Sequence, residues 1–274
     1  MKKKINYFLK LAWTIWCSFV ILTITIIYIP AAFILVNLGN KNLNKQVEMF
    51  SYKIAGIIML LWGIIPIYNN KKVVDFNKHQ VFVGNHRSYL DAFMVVYGIK
   101  CYKKFIGMHK VFDWFIIGYF VKKFNHIAVK REDNKKRTSS FDSILKEAKL
   151  GNSVCFFPEG KIVMTPDLIH NFWNGAFKVA IKLQIPIVPF TLIDTGVLFP
   201  PDSIRIRPGL SRCYWHEPIS TKGLTLNDLP KLKEKVKNLI LNKLLEHFPS
   251  GNYPINFNSK KWKYNGFYYE KIKS

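Results

Sequence analysis

His86 and Asp91 stand five positions apart in the stretch Asn85-His86-Arg87-Ser88-Tyr89-Leu90-Asp91. An imidazole can take a proton from a hydroxyl through one ring nitrogen while a carboxylate accepts from the other and fixes the tautomer. With the histidine just past a strand and the aspartate in the first turn of the next helix, the bend between them can fold both side chains toward one another. The chemistry this predicts is general-base activation of a hydroxyl. No G-x-S-x-G elbow occurs, so direct attack by a substrate hydroxyl is simpler than a route through a covalent serine. The competing use of the same two residues is a loop histidine beside a helix-capping aspartate.

The elements that must position this pair are readable around it. Gln80 to Val83 reads as a strand leading into Gly84-Asn85-His86, and Tyr89 to Tyr97 as the helix that follows. Ser153 to Phe157 is a second strand ending at Pro158-Glu159-Gly160, and Ile185 to Leu192 a third with prolines in it. These runs are continuously apolar rather than alternating, the signature of strands covered on both faces. The expected fold class is therefore α/β, a mainly parallel central sheet flanked by helices. Thr138 to Leu150 reads as one helix, with Ser139 or Ser140 as N-cap and Gly151 as its stop signal. Leu229 to Phe248 reads as another, its stripe of Leu229, Leu232, Val236, Leu239, Ile240 and Leu244 packing on the sheet.

Ahead of this domain the texture is different. Lys2, Lys3 and Lys4 precede a nearly uncharged run from Leu11 to Leu38, too long for the apolar core of a signal peptide and without a small-residue cleavage site. A retained anchor is expected, with its lysine-flanked N-terminus and the following domain on the cytoplasmic side of the cell membrane. A second run, Ile54 to Tyr68, would rise only about 22 Å as helix against a hydrocarbon core of about 30 Å. Either the two runs form an N-terminal hydrophobic helical hairpin dipping into one leaflet, or the first spans and the second lies at the interface; a core helix of the soluble domain is the remaining use of the second. The expected organisation is 1–70 membrane-associated helices, 71–250 a catalytic domain and 251–274 a C-terminal tail.

The 274 residues carry 41 Lys plus Arg against 17 Asp plus Glu, a formal net charge of +24. Most of that charge is lysine, which attracts anionic headgroups and acidic proteins as a diffuse field, whereas nucleic-acid readers add arginine for bidentate contacts. No nucleic-acid partner is expected. The four cysteines have no C-x-x-C spacing, and His109, His126 and His170 have no metal-ligand spacing, so neither a metal nor a cofactor is expected. No P-loop or dinucleotide fingerprint occurs.

Over roughly residues 70 to 215 the chain resembles the phospholipid/glycerol acyltransferase family, which includes the lysophosphatidate acyltransferases. Four of the family's blocks recur in order. His86 to Asp91 is its HxxxxD block, Asn125-His126-Ile127-Ala128-Val129-Lys130-Arg131 its second, Phe157-Pro158-Glu159-Gly160 its third and Ile185-Pro186-Ile187-Val188-Pro189 its fourth, while Phe172 to Phe177 is a looser match to an FKxGA segment. The resemblance implies that His86 is the catalytic base and Asp91 its orienter. It also implies that Arg131, Glu159, Gly160 and Lys161 bind the acceptor's phosphate or headgroup. Arginine forks suit phosphate, and glycine lets backbone N–H groups approach an anion.

Two departures bear on the substrate. Lys161 and Ile162 stand where Thr-Arg is usual, and Asn125 and Lys130 where Gly and Asp are common. What the resemblance implies is transfer of a fatty acyl group from acyl-CoA or acyl carrier protein to the hydroxyl of a lysolipid such as 1-acylglycerol-3-phosphate, in phospholipid biosynthesis. The alternatives are an acyltransferase for an acylated amino acid or another lysophospholipid, and a noncatalytic basic membrane-binding protein.

Overall fold

Val81, Phe82, Val83 and Gly84 are all buried, as a strand covered on both faces must be, and the rest of the sheet is arranged around them. The computed structural model describes residues 2–101, 103–108, 113, 115–129, 134–203, 205–254, 262–264 and 269–271. Along the chain come α1 (Lys2–Leu38), α2 (Lys41–Leu61), β1 (Ile64–Asn69), β2 (Val81–Gly84), α3 (Leu90–Gly98), β3 (Lys103–Met108), α4 (Phe115–Lys123) and β4 (Ile127–Val129). They are followed by α5 (Asn134–Lys149), β5 (Ser153–Phe156), α6 (Gly175–Leu183), β6 (Ile187–Leu192), α7 (Thr195–Leu198), β7 (Gly209–Trp215), α8 (Leu229–Leu245), β8 (Trp262–Tyr264) and β9 (Tyr269–Lys271).

The sheet has seven strands in the order β1-β7-β6-β2-β5-β3-β4. From β6 to β4 every pairing is parallel, and only β7 runs antiparallel against β6. This is the mainly parallel sheet the apolar runs predicted. The crossovers between parallel strands carry helices, with α6 packed on β2, while α8, which follows β7, packs on β6. Pro189 lies inside β6, where a missing N–H would break a ladder. The gap is accommodated locally. Pairing with β7 begins only at Phe190, while Pro189 still accepts from the His216 N–H at 3.0 Å and Ile187 bonds Ile219 in both directions.

Contacts divide the chain into two compact units, one of Met1–Ile67, Arg87–Ile99 and Asp194–Arg212, the other of Tyr68–His86, Lys100–Ile193 and Cys213–Ser274. In the first, α1 and α2 are antiparallel neighbours. Trp16 Nε1 donates to the Leu61 carbonyl at 2.8 Å, Trp62 Nε1 to the Cys17 carbonyl at 3.1 Å, and Tyr28 and Ser51 share a hydroxyl contact of 2.7 Å. Helix α2 packs on α3, with Trp62 tilted against Phe93 at 5.3 Å. The stretch Leu11–Leu38 of α1 is long and apolar enough to cross a membrane, and leaves Ile15, Phe19, Leu22, Ile26 and Ile27 exposed.

The second apolar run is not one segment. Its first part closes α2 at Leu61, Gly63 turns the chain at φ 64°, and Ile64 to Tyr68 enter β1. Pro66 cannot continue a helix, and β1 is a strand at the end of the sheet, where proline is tolerated. Helix α5 also starts earlier than expected, at Asn134. The lysines and arginine preceding Ser139 are good helix formers, and Ser139 lends only its carbonyl, which accepts from Ser143 Oγ at 3.0 Å. Leu229, Leu232, Val236, Ile240 and Leu244 of α8 form its buried stripe.

Candidate active site

The C-terminal end of β2 is fixed by a side chain acting as a peptide group. Asn85 is fully buried; its Nδ2 donates to the Leu192 carbonyl at 2.8 Å and its Oδ1 accepts the Leu192 N–H at 2.8 Å, extending the β2–β6 pairing past the last strand residue. Gly84 precedes it for a steric reason. A Cβ there would lie 2.0 Å from the Phe190 ring, so only glycine lets that ring cross the strand end.

His86 follows, half-buried, and its main chain is held on both sides. Its N–H donates to Glu159 Oε1 at 2.8 Å, and its carbonyl accepts from the Val163 N–H at 2.9 Å. The imidazole lies parallel to the Phe157 ring, centroids 4.2 Å apart and planes 13° from parallel, and Phe157 in turn meets Phe190 edge-on at 6.2 Å. An apolar stacking partner supports a ring without competing for its nitrogens.

Glu159, 2% exposed, accepts the His86 N–H on one oxygen and the His170 N–H on the other, at 2.7 Å. That explains a carboxylate beside an expected anion site: it serves backbone donors. Gly160 adopts φ 75°, and its N–H closes the turn onto the Phe157 carbonyl at 2.9 Å, so the glycine supplies the turn conformation. Lys161 and Ile162 follow, both half-buried. Arg131 and Lys130 lie outside the described residues, as does His109.

Asp91 is fully buried in the first turn of α3 in the other unit. Its Oδ2 accepts the N–H groups of Arg87 at 2.6 Å and Ser88 at 2.8 Å, while Ser88 Oγ accepts the Leu90 N–H at 3.0 Å and donates to the Phe199 carbonyl at 2.5 Å. Asp91 thus binds backbone N–H groups of the turn just ahead of α3 through Oδ2.

Two other histidines, His126 and His216, serve packing. His126 Nδ1 accepts the Phe105 N–H at 3.3 Å, and burial, reinforced by Lys104 and Lys103, lowers its pKa to about 3. His216, whose Nε2 meets Thr191 Oγ1 at 2.8 Å, is lowered to about 4, first by burial and then by Lys243. Among the described residues no cluster of three or more His, Cys, Asp or Glu could hold a metal ion. Asn85, Phe157 and His170 were not singled out from sequence as parts of the site. Asparagine directly before the histidine was the one available signal.

His86 thus stands at the end of the central strand of a mainly parallel sheet, with the Pro158-Glu159-Gly160 turn against its backbone. Residues 64–193 match the profile of the family described as Acyltransferase. The chloroplastic 1-acyl-sn-glycerol-3-phosphate acyltransferase BAT2 of Brassica napus is 31% identical over 63% of this chain and 52% of its own length. A 1-acyl-sn-glycerol-3-phosphate acyltransferase of Saccharomyces cerevisiae is 29% identical over 62% of this chain and 56% of its own. The chain thus spans about half the length of the chloroplastic relatives it matches. The crystal structure of the 1-acyl-sn-glycerophosphate acyltransferase PlsC of Thermotoga maritima shares the fold, with a TM-score of 0.74 at 18% identity over 90% of this chain and 98% of that one. Residues 64–193 are thus similar to the Acyltransferase family and to proteins named 1-acyl-sn-glycerol-3-phosphate acyltransferases.

Proposed function

We propose that this chain transfers a fatty acyl group from a thioester donor to the hydroxyl of a lysolipid, with 1-acylglycerol-3-phosphate as the acceptor, in phospholipid biosynthesis. The observation that carries the reading is the ring of His86: half-exposed at the end of the central strand, stacked on Phe157 and pinned through its main chain. His86 takes the acceptor's proton as its oxygen attacks the thioester carbonyl. The tetrahedral intermediate then collapses, breaking the C–S bond, and the imidazolium returns its proton to the departing thiolate. Asp91 orients the imidazole and stabilises its cationic form, while Oδ2 is held by the backbone N–H groups of Arg87 and Ser88.

Arg131 and Lys161 are the cations we assign to the acceptor's phosphate, with Gly160 shaping the turn that presents Lys161. The membrane-associated part, 1–70, keeps the catalytic part, 71–250, at the cytoplasmic face of the cell membrane, where a lysolipid stays in the leaflet and acyl-CoA or acyl carrier protein arrives from water; 251–274 is a tail to this arrangement. The basic balance of +24 favours either anionic donor. Ile162, where the family has arginine, favours a second reading in which the acceptor is a different lysophospholipid or an acylated amino acid.

The test is a panel assay with the full chain in vesicles, labelled acyl-CoA or acyl carrier protein, and a set of acceptors. Label on lysophosphatidate supports the first reading, and label only on another acceptor the second. No transfer to any acceptor from either donor leaves the noncatalytic alternative.

A further inference from the structure

Two bonds to the main chain of His86 come from one short segment, and that segment has its own fastening. Phe157 supports the ring, Glu159 takes the N–H and Val163 bonds the carbonyl. Beyond Val163 the chain runs to His170, whose N–H returns to the second oxygen of Glu159. The segment is therefore a strap whose two ends meet on one buried carboxylate.

A compact polar cluster sits within the strap. Thr165 Oγ1 lies 2.9 Å from His170 Nε2 and 2.8 Å from Asp167 Oδ2, and Nε2 is 3.5 Å from the same Asp167 oxygen. Proton accounting fixes the directions. The single hydroxyl proton of Thr165 goes to the carboxylate, so Thr165 accepts from His170, whose proton is on Nε2. A threonine nucleophile would have to offer its proton to the imidazole, the reverse of this order, so the cluster is a fastening and not a second hydrolytic triad. The strap is tied elsewhere too: the Pro166 carbonyl accepts the Tyr253 N–H at 2.8 Å, and the Pro158 carbonyl accepts the Trp173 N–H at 2.8 Å.

We infer that the strap from Glu159 to His170 aims His86, and that Glu159, Thr165 and His170 are positioning residues for the base rather than ligands of the acceptor. The inference rests on His86 being the base. Glu159 acts directly on the backbone of His86, and Thr165 and His170 act through Glu159. A base displaced by a fraction of an ångström leaves substrate affinity alone and slows proton transfer.

The experiment compares Thr165→Val, Thr165→Ser, His170→Gln and Glu159→Gln with the parent chain, each in vesicles, reading kcat and both KM values together with hydrogen exchange of the peptide holding His86. Valine keeps the shape of threonine without its hydroxyl. Thr165→Val should lower kcat about three- to tenfold and speed exchange at His86, with both KM values within about twofold of the parent. Thr165→Ser and His170→Gln, which retain the hydrogen bond, should restore most of the rate. Glu159→Gln, whose amide must turn an N–H toward one of the two backbone donors, should lower kcat further. A rise in acceptor KM at unchanged kcat would overturn the inference in favour of headgroup binding. Unchanged kcat and unchanged exchange in Thr165→Val would also overturn it. If Thr165→Val fails to fold, Thr165→Ser and His170→Gln decide: rates like that of Glu159→Gln, without faster exchange at His86, count against positioning. Should the parent chain show no acyl transfer, the base assignment fails instead of the strap.

Discussion

At the scale of single residues, position after a strand end mattered more than residue type. His86 is one of seven histidines, and what distinguishes it is the three fixings of its ring and backbone. His126 and His216 each bond a neighbour through one ring nitrogen, Nδ1 to the Phe105 N–H and Nε2 to Thr191 Oγ1. Gly84 belongs to the same geometry. Gly84→Ala would press a methyl into the Phe190 ring, which is fully buried between Phe157 and Trp215. The expected loss is about 1–3 kcal/mol of stability, measured by denaturant unfolding, with a fall in acyl transfer because Phe157 moves with Phe190. Arg131→Ala should raise the acceptor KM by more than it lowers kcat, if the phosphate is held equally in ground and transition states. Initial rates across an acceptor series check this, and an unchanged KM would remove Arg131 from the site.

At the scale of elements, the strands and their punctuation were legible because a strand buried on both faces must be continuously apolar. β2, β5 and β6 are buried throughout and apolar except for Ser153 and Thr191. The Ile54 to Tyr68 run misled for a related reason: hydrophobicity reports burial in a helix and in a strand equally, and only Gly63 and Pro66 mark where one ends and the other begins. The His86–Asp91 motif was legible because it is local. The fastening by Thr165, Asp167 and His170 was not, since its meaning depends on Glu159 reaching two backbone donors 73 and 11 residues away in sequence. Elements also carry the acid sensitivity of the fold. His216 follows β7, and its lowered pKa means that between about 6.5 and about 4 the unfolded chain binds a proton the folded chain refuses. Stability contributed by neutral His216 is therefore present above that window and lost as pH falls through it, on the order of 3 kcal/mol. His126 acts in the same direction. Unfolding free energies between pH 7 and pH 4 should fall, and His216→Gln should flatten the slope by about one proton.

At the scale of the whole molecule, an apolar helix of spanning length and a net charge of +24 accompany a domain similar to proteins named for lysolipid acylation. Membranes washed with high salt and then alkaline carbonate should retain the intact chain, because burial of α1 in lipid does not depend on screening. Release by salt would mean electrostatic adsorption. The central claim is that the membrane-bound chain transfers acyl groups with His86 as base and Asp91 as its orienter. Its most direct test is the initial rate of labelled acyl transfer to the accepted lysolipid, compared among the parent, His86→Ala, Asp91→Asn and the double variant, each confirmed folded and membrane-bound. His86→Ala should lower the rate by about 10² to 10⁴. Asp91→Asn should also be severe, and the double variant little worse than the poorer single one, because residues acting as a unit do not multiply. A folded His86→Ala chain that turns over at nearly the parent rate would contradict the account.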